Sequence, residues 1–180
     1  MSVSRLEQRA FTLIELLIAM AIAALLVVLS APMYAQWVAD AETRAAAESI
    51  ASGLRAAMTE AVKRNTSVEI VLDPTTKTGG WVVQPPGGGP PYQSAGFAEG
   101  ADRAVFVVAP AGNTILTFNG LGLVAPANAD ASLPFDRVDV TTSAGPRSLR
   151  VLVGGGRTGI KICDPAWPAT DPKGCPAVGG

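Results

Sequence analysis

The chain has 180 residues, a formal net charge of −1 and no histidine, and 48% of its residues are hydrophobic. Without histidine it cannot form a Ser-His-Asp or Cys-His pair, and its near-neutral charge does not favour nucleic acid as a general partner. We therefore expect no enzymatic activity, no cofactor, no bound metal and no small-molecule substrate. The length allows one membrane anchor and one globular core of roughly 110–140 residues.

A basic leader containing Arg5 and Arg9 opens the chain, and an apolar run follows it to about residue 31. A helix needs roughly 20 mostly apolar residues to span a bilayer, so this run is long enough. It contains one acid, Glu15, which costs on the order of 2.5–3.5 kcal/mol in a membrane and is therefore expected to have a function. The arginines of the leader predict a cytoplasmic N-terminus, with everything after Pro32 on the other side.

Two other interpretations of this segment compete. A secretory signal peptide has a basic start and an apolar middle, but here the middle exceeds the usual 7–15 residues, contains Glu15 and lacks a clean A-x-A cleavage site. An ordinary transmembrane anchor needs no acid near its N-terminal end. Neither alternative accounts for Glu15.

The pattern predicts one long helix from Phe11 to about residue 64, with Asn65 as its C-terminal stop. Pro32 removes a backbone hydrogen bond and should kink or loosen the helix. The second half reads as amphipathic, with charged residues such as Glu42 and Glu60 expected away from the core. The residues expected to face the core are Trp37, Ala41, Ala45, Ile50, Leu54, Ala57, Met58 and Ala61.

After the helix the pattern changes to short β-rich runs separated by Gly, Pro, Asn and Asp. The predicted strands cover residues 67–72, 81–84, 104–109, 114–118, 121–124, 137–141, 148–153 and 159–163. Residues 73–80 read as a hairpin connection, Asn119-Gly120 as a tight turn, and the Pro/Gly stretch from 85 to about 102 as a surface loop. This arrangement predicts an α+β fold in which the helix packs on an antiparallel sheet or a two-sheet sandwich.

Two cysteines, Cys163 and Cys175, lie close together among prolines near the C-terminus. Two thiolates without histidine leave a tetrahedral zinc site short of ligands unless carboxylates or a second chain complete it. In an oxidising compartment a disulfide that closes this short loop is favoured.

The last third of the chain has a local excess of positive charge, which includes Arg147, Arg150, Arg157 and Lys161. One interpretation is a solvated strand face with a basic bias, and the other is a patch that binds successive phosphates of DNA without reading sequence. Gly154 to Gly156 could form an anion-binding nest, but no helix pattern follows, so a turn between strands is favoured.

The N-terminal segment resembles the class III signal of type IV pilins and pseudopilins: a basic leader, the small residue Ala10, then Phe11-Thr12-Leu13-Ile14-Glu15, with Pro32 further along. The usual residue before the cleaved bond is Gly, and here it is Ala10. The resemblance implies cleavage by prepilin peptidase between Ala10 and Phe11 and methylation of Phe11. It divides the chain into a leader (1–10), a transmembrane helix segment (11–32) and a head (33–180).

The run from Thr117 to Gly122, the Gly156-Arg157 segment and the surroundings of Cys163 and Cys175 resemble the GspH/FimT group of minor pilins and pseudopilins. This resemblance implies the type IV pilin fold and a subunit of a type II secretion or type IV pilus filament. Its partners would be other pilins, and it would be anchored in the bacterial inner membrane with a periplasmic head. Glu15 would neutralise the amine at Phe11 of a neighbouring subunit.

In FimT-like minor pilins a Gly-Arg-x-Arg segment is associated with DNA uptake. Here only Arg157 maps directly, because Lys161 follows four residues later and lacks the bidentate fork of arginine. A DNA-binding subunit therefore stays an alternative, as does a membrane-anchored binding domain outside any filament.

Overall fold

A computed structural model describes residues 12–73, 80–96, 101, 103–143, 145, 147–154 and 159–176. One helix, α1 (Leu13–Arg64), precedes eight strands. These are β1 (Val68–Asp73), β2 (Gly80–Gln84), β3 (Gln93–Gly96), β4 (Ala104–Ala109), β5 (Ile115–Phe118), β6 (Arg137–Thr142), β7 (Ser148–Val153) and β8 (Ile160–Cys163). The α+β prediction is confirmed.

The helix has clear start and stop signals. The side chain of Thr12 accepts a hydrogen bond from the backbone N–H of Glu15 at 3.3 Å, which makes Thr12 the N-cap. At the other end Asn65 adopts a left-handed conformation (φ 49°) and its N–H bonds the carbonyl oxygens of Ala61 and Val62, which confirms the predicted stop. The 52 residues between these caps form a helix about 78 Å long. The helix continues through Pro32 as a single element, as predicted.

Two four-stranded antiparallel sheets pack against the second half of α1, with strand orders β3-β2-β1-β5 and β4-β6-β7-β8. Alternate residues of the strands face the helix, as in β7, where Leu149, Val151 and Val153 are buried. The core therefore lies between α1 and both sheets, and the predicted sandwich-type architecture is confirmed.

The helix and β2 are in tight contact at Gly53. A Cβ atom at this position would lie 2.5 Å from the ring of Trp81 in β2, so any other residue would push the strand away. The indole nitrogen of Trp81 also donates a hydrogen bond to the hydroxyl of Ser49 at 3.2 Å. These contacts fix β2 against the helix.

The predicted core face of α1 is correct only from Ile50 onward. Ile50, Leu54, Ala57 and Ala61 are fully buried, whereas Trp37 is 68% exposed. Exposed positions also include Ala41 and Ala45, and Met58 is partly buried. The core face of the preceding turns is formed by Ala39, Thr43, Ala46 and Ala47 instead.

Two acids predicted to avoid the core are in fact buried. Glu42 accepts hydrogen bonds from the Arg103 guanidinium, the shortest of them 2.7 Å long, and Glu60 accepts one from Arg64 at 2.6 Å. Because each carboxylate has a guanidinium partner, its burial is compensated. Sequence periodicity alone ignores such partners.

Two strand predictions are wrong. Residues 121–124 form a turn with one isolated bridge between Phe118 and Val124, because Gly122 has a positive φ that an extended strand does not allow. Conversely, β3 lies in the segment that is predicted to be a loop. The prediction missed this strand because its residues, Gln93–Gly96, have no alternation of apolar and polar side chains. Its register with β2, such as Trp81 opposite Ala95, comes from the folded sheet rather than from local propensity.

The remaining turns agree with the sequence pattern. Strands β1 and β2 form a hairpin in which Asp73 pairs with Gly80, and residues 74–79 between them lie outside the described residues. The N–H of Gly154 donates to the carbonyl oxygen of Gly159 at 3.0 Å between β7 and β8. This agrees with a strand connection, while Gly155 and Gly156 lie outside the described residues.

A buried carboxylate fixes two long loops to the first sheet. Glu69 of β1 accepts hydrogen bonds from the N–H of Gly87 at 3.0 Å, from the N–H of Ala129 at 3.1 Å and from the Thr117 hydroxyl at 3.3 Å. Gly87 belongs to the Pro/Gly loop and Ala129 to the loop between β5 and β6. Because one buried carboxylate bonds the backbone of both loops, Glu69 holds them against the sheet.

Candidate assembly surfaces

The first half of α1 is an uncovered apolar helix. Its large side chains from Leu13 to Met33 are all more than half exposed. The helix is long and apolar enough to cross a membrane, by length and composition only. None of its most apolar stretch is buried. Water is therefore not a suitable environment for this half of the helix.

Glu15 lies in the first turn of this apolar half. Its backbone N–H is bonded to the Thr12 side chain, and its own side chain is exposed. Within residues 12–73 and the other described ranges, no cation lies within ion-pair distance of its carboxylate. An acid near the helix N-terminus is favoured by the helix dipole, but the dipole does not neutralise it in lipid. The predicted processing residues Ala10 and Phe11 lie outside the described residues.

Pro32 and two aromatic residues mark the end of the apolar run. Tyr34 and Trp37 follow Pro32 by about one turn and are both exposed, with ring centroids 6.2 Å apart. Tyrosine and tryptophan are enriched at membrane–water interfaces, because one end of each ring is apolar and the other is polar. The apolar half of α1 therefore has an aromatic border on the side of the head.

At the opposite end of the chain, Cys163 and Cys175 are joined by a disulfide with a Cα–Cα distance of 4.9 Å. Cys163 ends β8, and the loop that follows returns along it. The N–H of Asp164 donates to the carbonyl oxygen of Lys173 at 2.8 Å, and Arg147 forms an ion pair of 3.3 Å with Asp164. The disulfide and these contacts together hold the C-terminal loop on the second sheet.

The predicted basic residues are not brought together as one free surface. Arg150 makes a bidentate pair with Asp139, with distances of 2.6 and 3.2 Å, and Arg147 pairs with Asp164. Lys161 is exposed, and its ammonium group donates to the carbonyl oxygen of Gly174 at 3.4 Å. Arg157 lies outside the described residues. Asp139 also lies 3.4 Å from the Arg137 guanidinium, so it has two arginine partners.

A cluster of charges closes the C-terminal end of α1. Glu60 receives a hydrogen bond from Arg64, which lowers the pKa of its carboxyl group, and Lys63 lies 3.6 Å away. The Arg64 guanidinium also stacks on Tyr92, with its central carbon 3.8 Å from the ring centroid. The cluster ties the last turn of α1 to the segment that precedes β3.

Beside this cluster lies an apolar surface that we call the distal patch, formed by Met58 and Val62 of α1 and by Leu121 and Leu123 of the turn after β5. Leu121 is 77% exposed. A groove of about 430 Å³ runs between the helix and the turn and is also lined by Thr59, Lys63 and Gly122. The sequence pattern did not predict this surface, because it indicated a strand instead of a turn at residues 121–124. The sequence feature that could have indicated an exposed turn here is Leu121, which lies between Gly120 and Gly122.

Within the described ranges, no group of three or more His, Cys, Asp or Glu residues could hold a metal ion. The geometry is that of a head on a long helix whose apolar first half is exposed, and comparison with known families agrees with it. The family model described as Type II transport protein GspH matches residues 46–157, which is more than half of the chain. The chain belongs to the GspH family.

A second family model, the prokaryotic N-terminal methylation motif, matches residues 5–31 of this GspH-family chain. Together the two matches confirm the resemblance to GspH/FimT-like type IV pilins. The family is structural rather than catalytic, and it implies other pilins and prepilin peptidase as partners. No curated protein and no solved structure gives a significant match.

The two family matches cover different surfaces of the chain. The methylation motif covers Glu15 and most of the apolar half of α1, whereas the GspH match begins at Ala46 and includes the distal patch. Cys163 and Cys175 lie beyond the end of the GspH match. The disulfide is thus a feature of this chain outside the matched region.

Proposed function

We propose that this GspH-family chain is a minor pilin or pseudopilin that enters a periplasmic filament of the type II secretion or type IV pilus type. It would be made as an inner-membrane precursor with a cytoplasmic N-terminus, cleaved after Ala10 and methylated on Phe11. The observation that carries the proposal is the combination on one continuous helix of the methylation motif and an entirely uncovered apolar half. This half suits lipid before assembly and other subunits' helices after it.

In the proposed assembly, the carboxylate of Glu15 would form an ion pair with a neighbouring subunit. In lipid this charge is costly, and within the described residues the chain gives it no cation. A neighbouring subunit with a free amine at Phe11 would supply a positive charge of the right kind. Assembly would thereby remove a cost that insertion imposes.

Intact-mass analysis of the chain from native membranes tests the processing step. We expect a mature protein that lacks the ten leader residues and carries one methyl group on the amine of Phe11. Co-fractionation with sheared filaments tests assembly in the same cells. An intact Met1 terminus, or cleavage near Ala35 instead of after Ala10, would contradict the proposal.

The DNA-binding alternative makes a different prediction for the same chain. If it is right, DNA affinity falls with salt with a slope of about −0.9 per phosphate contacted. Replacing Arg157 and Lys161 together with Ala would then flatten that slope by up to about two units. Because Arg147 and Arg150 already have acidic partners, we expect a low-salt polarisation titration to show little binding. Strong, salt-dependent binding that the double substitution weakens would establish the alternative.

A further inference from the structure

Two uncovered apolar surfaces lie at opposite ends of α1. One is the helix from Leu13 to Met33, and the other is the distal patch around Met58 and Val62. At 1.5 Å per residue their centres are about 55 Å apart along the axis of one continuous helix. The two surfaces of one chain therefore cannot cover each other, whereas those of two chains displaced along the axis can.

The turn that carries Leu121 is built to hold this side chain in solvent. The side-chain oxygen of Asn119 accepts hydrogen bonds from the N–H groups of Leu121 and Leu123, both at 3.0 Å, and the Gly122 N–H donates to the Asn119 carbonyl oxygen at 2.8 Å. Gly122 has φ 77° and lies so close to α1 that a Cβ atom would be 3.0 Å from Val62. These contacts hold the turn in a conformation that leaves Leu121 in solvent, and an exposed apolar surface of this kind suits a binding partner.

The groove between the turn and α1 has a mostly apolar lining, which suits the side chains of an apolar helix. Its lining comes from one face of the last turns of α1 and from Leu121 and Gly122 of the turn. Helices pack by placing the ridge of one into the groove of another, and apolar helices bind such grooves through side chains spaced three and four residues apart.

The charged residues of the groove and of the N-terminal helix indicate which segment could bind in the groove. Lys63 is the one charged residue among those that line the groove, and its side chain is 70% exposed. Its ammonium group lies 3.6 Å from the Glu60 carboxylate, which also accepts the shorter hydrogen bond of 2.6 Å from Arg64. In the chain itself, Glu15 is the only charged residue between positions 13 and 39. An apolar helix with a single acid at its beginning therefore complements an apolar groove with a single cation. A carboxylate has two oxygens, so a contact with Lys63 is compatible with a second contact to an amine.

We propose that the distal patch binds the apolar N-terminal helix of another pilin-like subunit, with Lys63 facing the acid at the start of that helix. The inference rests on the proposed function and identifies the partner of a specific surface. This interface joins the distal patch of one subunit to the N-terminal helix of another, so the two surfaces in contact are different. Such a head-to-tail interface produces an open filament when its rotation does not close into a ring.

Site-specific photocrosslinking in cells that assemble the filament tests this proposal. Leu121→p-benzoylphenylalanine in the full chain leaves the fold intact, since the side chain is exposed. We expect an adduct whose peptide lies within the apolar helix that follows a prepilin cleavage site. Val107→p-benzoylphenylalanine, on the exposed outer face of β4, serves as the control position and should give no such adduct.

A matched pair of substitutions tests the charge. Lys63→Gln should lower the adduct yield from position 121 by about two- to fivefold, the range for an exposed ion pair. Arg55→Gln changes an exposed cation of the same helix outside the groove and should leave the yield unchanged.

Three outcomes overturn the inference while the chain is present in sheared filaments: no adduct at position 121, an adduct on a head-domain peptide, or an adduct on phospholipid. Absence of the unmodified chain from sheared filaments instead overturns the proposed function, and the inference with it. The two failures are thus distinguishable in one set of cells.

Discussion

The two halves of α1 have the same backbone and opposite surroundings. From Leu13 to Met33 every large side chain is exposed, whereas the half from Ala39 to Ala61 has one face inside the head. Their acids differ in the same way, because Glu42 and Glu60 have arginine partners and Glu15 has no cation partner within the described residues. The difference indicates that the second half is stabilised by its own chain and that the first half depends on lipid or on other chains.

The largest expected effect concerns the acid of the first half. Glu15→Leu should leave membrane insertion intact or improve it, because it removes a charge from lipid. It should also prevent incorporation into filaments, because a neighbouring amine loses its partner. Carbonate extraction measures insertion, and co-fractionation with sheared filaments measures incorporation. Glu48→Leu, at an exposed position in the second half, is the control. Unchanged incorporation of Glu15→Leu would contradict the pairing.

One substitution made in both halves tests the comparison directly. Leu54→Ala empties a fully buried core position and should lower the free energy of unfolding of the head by about 2–5 kcal/mol. Leu25→Ala, at a position 63% exposed, should leave the stability of the head unchanged. Denaturant titration of the full chain in detergent, followed by tryptophan fluorescence, gives both values. Similar losses for the two variants would show that the halves are not independent.

The C-terminal loop lies beside the second half of α1, since Pro172 and Lys173 line a groove together with Arg44 and Glu48. Replacing Cys163 and Cys175 with Ser should lower the free energy of unfolding by about 3 kcal/mol in the chain-entropy model for a loop of this size. Non-reducing peptide mapping of protein from the periplasmic side should show the linked pair. Two freely alkylated thiols in that protein would disprove the bond.

The smallest effect is expected from Glu60. Its lowered pKa means that the folded state favours the charged form, so its contribution to stability is present above the ordinary carboxyl pKa of about 4.3. The contribution is lost as the pH falls through the lower pKa of the folded state. Thermal unfolding of the wild type and Glu60→Gln should therefore differ at pH 7 and converge in acid. A difference that grows in acid would contradict the assigned direction.

Local chemistry determined much of this structure. The apolar run, Glu15 and the motif at Ala10-Phe11 predict the anchored helix, and Asn65 predicts its end, because caps and hydropathy act over a few residues. Most strands are predictable for the same reason, since alternation of apolar residues requires only that one face be buried. The processing motif at Ala10-Phe11 is likewise readable from adjacent residues.

Only the tertiary structure decided which helix face lies in the core, where β3 pairs and which charges are neutralised. Trp37 is exposed, whereas Glu42 is buried because Arg103, 61 residues away, reaches its carboxylate. In the sequence Glu69 is an ordinary strand residue. Only the folded chain shows that its carboxylate accepts hydrogen bonds from the N–H groups of Gly87 and Ala129. Sequence patterns report what a residue prefers locally, whereas burial of a charge depends on a partner that only the folded chain brings close.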